Sequence, residues 1–296
     1  MRPALQGVAF TAAARQWLTS TTAARVLNVF DRACNLLNQD GAVLALVTSE
    51  RGLTPFGLVV AGAARAPFRG VPADSPVRVD PDRLSVGPLL IDFGAAALWD
   101  ARPAWPALTR LFGADPARLG RLAALASEVE LEGSLLDLFR PVAGDTALAQ
   151  ALLARARQGA WTLVQGLAVL DSDQATLGAR TLAGLGGGLT PAGDDFIVGA
   201  LLAVWAGLYG PGAEELAGAV AAAAAPCTTT LSAAYLNAAG RGECSAHWHA
   251  LFEAQLCDDW PATRAAMQSL VSIGHTSGAD ALAGFLAVHY VLGRGA

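Results

Sequence analysis

The stretch GLGGGLTPAGDD, Gly184 to Asp195, sets five glycines and a Thr-Pro before two carboxylates. FIVGALLAVWAGL follows at once, one of the most apolar helical segments in the chain. An ordinary helix start needs less. Thr190 suits an N-cap, and Pro191 suits the first helical position, where its missing N–H would be unpaired anyway. Asp194 and Asp195 fall where the helix dipole favours negative charge, each contributing ~0.3–1 kcal/mol. Gly193 in the first turn costs about 1 kcal/mol against alanine but lets backbone or ligand come close. Capping accounts for the threonine and the aspartates. It does not account for Gly186, Gly187 and Gly188, because one left-handed glycine suffices to end the preceding helix. A glycine run can turn several N–H groups toward one point, which is how backbone binds an anion or a carbonyl oxygen.

Two acids beside such amides would repel a bare phosphate. Three ligands resolve the conflict: a phosphate bridged by Mg²⁺ with a carboxylate on the metal, a zwitterion, or a carbamoyl or amide group. In the last, the C=O takes N–H donors while the NH₂ donates to a carboxylate. The residues leave all three open. A second segment, GHTSGADALAGFLA from Gly274 to Ala287, echoes GLTPAGDDFIVGALL from Gly188 to Leu202. Each reads Gly-x-Thr, then a glycine two residues before an aspartate (Gly193 and Asp195; Gly278 and Asp280). Each has a further glycine four residues beyond it (Gly199; Gly284). Thr276 is then the second N-cap, and Ser277, Gly278 and Asp280 join the candidate site. His275 in that segment is either a general acid or base or a polar turn residue. Thr229, Thr230, Ser232 and Asn237 lie at the start of and along one helical stretch; capping uses one hydroxyl, so others are free to complete a pocket. In VFDRACN, Asp31, Arg32 and Asn35 make a polar end to the sheet, with Arg32 an anion ligand or half of a surface ion pair.

The elements that must position these groups are legible from period. From Ala4 to about Trp99, the runs VLNVF, AVLALVT, FGLVVAG and PLLIDF are separated by turn signals at Gln39-Asp40-Gly41, Arg51-Gly52 and Pro81-Asp82. This predicts a compact antiparallel sheet or barrel. Beyond about Trp105, ARLGRLAALASEVE, ALAQALLARAR, FIVGALLAVWAGL, AEELAGAVAAAAA and ADALAGFLAVHYVLG follow helical spacing. Strands first and helices later make an α+β protein. A β-rich N-terminal domain spans 1–104, and an Ala-rich α-helical domain over 105–296 carries the glycine motifs, with ARPAWP as the break.

Composition narrows the function. With 53% apolar and 15% charged residues the chain builds a core and is not disordered. No apolar stretch reaches the roughly 20 residues that span a bilayer, and the opening residues lack a signal-peptide pattern. A net charge of −5 argues against nucleic acid. A cytoplasmic protein without membrane or nucleic-acid partners is expected. All 20 basic residues are arginine, which excludes a Walker-A lysine and a Schiff base. GLGGG follows helical-looking TLGARTLA and not the strand that a dinucleotide fingerprint requires. Ser-His-Asp chemistry lacks its Gly-x-Ser-x-Gly elbow. Cys244, His247, His249 and Cys257 have zinc-like spacing, but HWHALFEAQL reads as an ordinary helix and the second half-site is missing. No resident metal is expected, Mg²⁺ remaining as a bridging option. Cys34 and Cys227, like the other two cysteines, read as free thiols.

GLGGGLTPAGDDF closely resembles the GLGPGLTPSGDDF signature of a family that includes the AllH-type subunit of oxamate carbamoyltransferase, from anaerobic allantoin breakdown. VFDRACNL (Val29 to Leu36), TTTLSAAYLNAAGRGE (Thr228 to Glu243) and IGHTSGADALAGFL (Ile273 to Leu286) extend the resemblance over most of the chain. Gly187 stands where proline is usual, Ala192 where serine is usual, and Leu27-Asn28 where His-Ser often stands; no role of that serine or of His-Ser carries over. The resemblance implies a subunit acting with partner proteins in carbamoyl transfer between carbamoyl phosphate and an oxamate-like amide. On that reading Gly186, Gly187, Gly188, Leu189, Thr190 and Gly193 contact substrate through the backbone. Asp194, Asp195, Asp280 and His275 are the catalytic candidates. The alternative is a non-catalytic scaffold or regulatory subunit that binds a small anionic metabolite. Either is compatible with an oligomer.

Overall fold

A computed structural model describes residues 5–61, 65–128, 147–208 and 210–292. They fall into two compact units, Met1–Ala101 and Arg102–Ala296. Two of the expected helical stretches, ARLGRLAALASEVE and ADALAGFLAVHYVLG, run beyond the described residues at 129–130 and 293.

The first unit is built on one nine-stranded sheet. Its strands are β1 (Leu5–Thr11), β2 (Ala24–Val29), β3 (Ala33–Asn38), β4 (Val43–Thr48), β5 (Gly57–Ala61), β6 (Val77–Val79), β7 (Arg83–Val86), β8 (Leu89–Asp92) and β9 (Ala97–Trp99). The spatial order is β2-β3-β4-β5-β1-β8-β7-β6, with β9 paired to the second half of β1. The end strands β2 and β6 approach one another, so the sheet is nearly closed into a barrel. Its interior follows from alternation: Cys34 and Leu36, Leu44 and Leu46, Leu58 and Val60, and Leu84 and Val86 are pairs two residues apart, all exposed by 2% or less. A side-chain period of two sends every member of such pairs to one face.

Two expectations need correction here. The sheet is mixed, because β1 runs parallel to β8 and β9 and β4 runs parallel to β5. Alternation tells which face of a strand is buried and carries no information on the direction of its neighbour. In addition, a helix, α1 (Ala12–Ser20), lies inside the strand-like half. Thr11 caps it, accepting from the Ala14 N–H at 3.1 Å, and Ala14, Trp17 and Leu18 form its buried stripe.

The second unit contains α2 (Trp105–Ala114), α3 (Ala117–Ser127), α4 (Ala147–Ala168), α5 (Ser172–Leu182), α6 (Ala192–Leu208), α7 (Pro211–Ala224), α8 (Thr230–Gly240), α9 (Ala246–Leu256), α10 (Trp260–Val271) and α11 (Ser277–Leu292). α6 packs against α2, α7, α8 and α11. Phe196, Ile197, Leu201 and Leu202 on it are fully buried. A helix apolar on all sides belongs at the centre of a core. The glycine stretch therefore ends on a helix buried in the core of the unit.

The echo between the two glycine segments extends to whole helices. Leu170 and Asp258 have positive φ, 59° and 55°. Each precedes an aspartate cap, Asp171 or Asp259, that accepts from the amide three residues on, at 2.9 Å in both cases. The helices so started, α5 and α10, end against a glycine. A Cβ on Gly193 would lie 2.2 Å from the Leu182 carbonyl oxygen, and one on Gly278 would lie 1.8 Å from that of Leu270. α6 and α11 then cross at Gly199 and Gly284. A Cβ on Gly199 would meet the Ala281 oxygen at 1.7 Å, and one on Gly284 the Phe196 oxygen at 1.9 Å. Each glycine thus faces the residue after the other copy's aspartate, the reciprocity of a two-fold pair. The runs α5–α6 and α10–α11 are two copies of one helix pair.

Candidate functional site

The starts of α6, α8 and α11 meet at the glycine loop. The Leu189 carbonyl accepts from Thr229 Oγ1 at 2.6 Å and from Ser232 Oγ at 3.4 Å, which ties the loop to α8. Thr190 Oγ1 and Ser277 Oγ lie 2.9 Å apart, which ties it to α11. Asp194 is 1% exposed. Its Oδ1 accepts from the Gly184 N–H at 2.9 Å, and its Oδ2 accepts from the Thr228 hydroxyl. The loop is thus held by its acceptors and by a carboxylate. Its donors stay open: Gly186, Gly187, Gly188 and Leu189 are exposed, and their amides donate to none of the described residues. Glycine is required at two of these positions. Gly186 has φ of 121° with the Ala192 nitrogen 2.8 Å from a would-be Cβ, and Gly188 has φ of 89°.

Hydrogen bonds correct the alignment of the repeat. The amides of Asp195 and Asp280 donate to the carbonyls of Pro191 (3.2 Å) and Thr276 (2.8 Å). Thr276 therefore matches Pro191, Ser277 matches Ala192, and His275 matches Thr190. Thr190 sits one residue ahead of the cap position, and its hydroxyl turns to Ser277, not to a helix amide. The surplus length of the first loop falls in Gly186–Leu189, opposite the single Gly274.

Asp195 differs from its neighbour. It is half-buried as a residue, yet its Oδ2 is closed off from solvent and has no hydrogen-bond partner among the described residues. Burial pushes its carboxyl well above the ordinary carboxylate range. The nearby Ser277 and Thr190 hydroxyls pull the other way, while the charges of Asp280 and Asp194 reinforce the rise. Burial also raises Asp194, against its bonds to Thr228, Gly184 and Ser232. Asp280 is fully buried at the start of α11. No ion pair joins an arginine to Asp194 or Asp195 among the described residues. Nor do three His, Cys, Asp or Glu side chains stand together as metal holders among them.

Other residues singled out from the sequence lie elsewhere or stand apart. His275, Thr230 and Asn237 are exposed. Arg32, in the β2–β3 turn of the first unit, pairs with Glu50 at 3.3 Å on the surface. Asn35 lies within β3, and its Nδ2 donates to Asn28 Oδ1 at 2.6 Å. An open hollow of the first unit is lined by Asp80, Asp82, Arg83 and Asp92. Its single arginine already faces Asp92 at 3.5 Å, so it offers an anion less than the glycine loop does. Sequence reading passed over Thr228 and Gly184, two of the partners of Asp194. The run of three threonines was the available signal, but a contact so far along the chain leaves no local trace.

A barrel-like sheet unit joined to a helical unit with a glycine loop on a buried helix, beside an enclosed carboxyl, defines an α+β protein with a candidate backbone-amide site. The chain belongs to the AllH family: residues 182–289 match the family model described as oxamate carbamoyltransferase subunit AllH, and residues 6–98 match the AllH family N-terminal domain. The first match begins at the end of α5 and includes the whole glycine loop, α8 and most of α11. No solved structure matches the chain.

Proposed function

We propose that this chain is the subunit of an oxamate carbamoyltransferase that holds the group being transferred, working with other enzyme subunits. The observation that carries the reading is the set of exposed amides at Gly186–Leu189 near the enclosed carboxyl of Asp195, the amides without an acceptor and the carboxyl without a cation among the described residues. A carbamoyl or carboxamide group suits both halves: its C=O faces the amides and its NH₂ faces Asp195. A phosphate dianion suits them less, needing Mg²⁺ or a partner's arginine beside the acids. In transfer, the acceptor amide nitrogen attacks the carbamoyl carbon and the C–O bond to phosphate breaks, the electron pair leaving with phosphate. The amides stabilise the developing oxyanion. The proton lost from nitrogen passes to Asp195 in its ionised form, and a raised pKa suits that task near neutral pH.

The scaffold reading is supported by Asp194, whose two oxygens are both engaged within the protein, leaving one signature carboxylate for chemistry. Calorimetric titration of the full chain with carbamoyl phosphate and with oxamate, and assays alone and with partner subunits, separate the two. The catalytic reading expects Asp195→Asn to lower turnover by about 10²-fold or more with the fold intact. Turnover of the complete complex that survives Asp195→Asn, with ligand binding unchanged, supports the scaffold. Failure of the wild-type chain to bind either ligand in any combination overturns both.

A further inference from the structure

We infer that the α4–α5 hairpin is a surface through which two copies of this chain pair. The duplicated unit makes it conspicuous. In the second copy, the turn at Asp258 is also exposed, but it carries a charged residue that is engaged within the chain. Arg118 of α3 donates to Asp258 Oδ1 at 2.7 Å and to the Gln255 carbonyl at 3.2 Å, and it lies over the Trp260 ring. In the first copy, the matching turn presents Val169 and Leu170, which are 69% and 58% exposed. Leu170 even keeps the left-handed backbone of Asp258 without the ion pair that accompanies it there.

The exposed apolar surface continues along both helices. Trp161 on α4 is 59% exposed and Leu177 on α5 is 61% exposed. α4 and α5 run antiparallel in close contact: a Cβ on Gly178 would lie 2.2 Å from the Leu163 nitrogen, and one on Gly166 would lie 2.4 Å from that of Ala175. This register sets Leu177 level with the stretch between Trp161 and Val169, and all four side chains are turned to solvent. Four large apolar side chains left exposed on one hairpin call for a partner to cover them.

Charge selects the occupant. Arg157 and Arg180 are exposed at the open end of the hairpin, and Asp171 and Asp173 are exposed at its turn. Helix dipoles favour Asp173 and Arg180 at their positions on α5 but give no reason for tryptophan and leucine between them. Two hairpins related by a two-fold axis place each basic end against the other's acidic turn and apolar middle on apolar middle. That is the self-complementarity an isologous interface needs. A partner of one charge would match only one end.

Analytical ultracentrifugation of the full chain across a concentration series tests this. A monomer–dimer equilibrium is expected, and Leu177→Asp should weaken it by about tenfold or more with unchanged far-UV circular dichroism. Asp173→Arg and Arg180→Asp should each weaken pairing, and the two together in one chain should restore it, an outcome that general misfolding cannot imitate. A chain monomeric at every concentration overturns the inference. So does a dimer indifferent to Leu177→Asp. A monomeric chain whose binding to another subunit is lost with Leu177→Asp also overturns it and assigns the patch to that subunit.

Discussion

Asp194 and Asp195 are adjacent in sequence and opposite in use. Asp194 closes the loop through Gly184 and Thr228; Thr228→Val should therefore loosen the loop and lower stability by about 1–3 kcal/mol, the cost of leaving a buried acceptor unsatisfied, measurable by urea denaturation. Asp195 carries the opposite signature. Its folded pKa lies above the unfolded value of 3.8, so its contribution to stability is complete below that value and is lost as pH rises through the folded pKa. Asp195→Asn should then raise the melting temperature at pH 8 relative to wild type while lowering transfer by about 10²-fold or more. A stabilised variant with full activity would show that Asp195 is only a buried acid. His289 has the reverse sign. Burial between Phe112 and Phe285 pushes it down from 6.5 to about 4. Between those values the unfolded chain binds a proton that the folded chain does not, so stability falls by roughly 3 kcal/mol as pH drops through the window. His289→Phe should flatten that part of the stability profile in denaturation at stepped pH.

At the scale of elements, the glycines fall into two groups that substitution can separate. Gly199 and Gly284 let α6 and α11 touch backbone to backbone; alanine at either should cost about 3 kcal/mol or more by denaturant titration. Gly187 has open space around it and no positive φ. Proline, usual there in the related signature, lacks an N–H, so Gly187→Pro should keep the fold and leave transfer to the amides of Gly186, Gly188 and Leu189. Loss of transfer in that variant would mean that the Gly187 amide itself contacts substrate. The caps at Thr229, Asp171 and Asp259, the helix at HWHALFEAQL and the helices around the glycine motifs were all within reach of local pattern, because caps and period act over a few residues. α1 was hidden by its shortness among strands. The match of Thr276 to Pro191 and not to Thr190 was hidden by the extra loop residues, since only the helical hydrogen bonds reveal where each helix begins.

For the whole molecule, pairing through α4–α5 makes stability depend on concentration, because association stabilises only the folded chain. The melting temperature of the wild-type chain should rise with protein concentration, and that of Leu177→Asp should not. Among the described residues no helix is long and apolar enough to cross a membrane, in line with the apolar residues being gathered into two cores, one per unit. Sequence by itself determined the division into strands then helices, the buried faces and the glycine segments, because each depends on neighbours a few positions away. Tertiary structure alone decided the parallel pairs within the sheet, the reciprocal crossing of the two helix-pair copies and the separate fates of Asp194 and Asp195. Those outcomes rest on contacts such as Asp194 with Thr228 and Gly199 with Ala281, whose partners lie far apart along the chain and meet only when the helices pack.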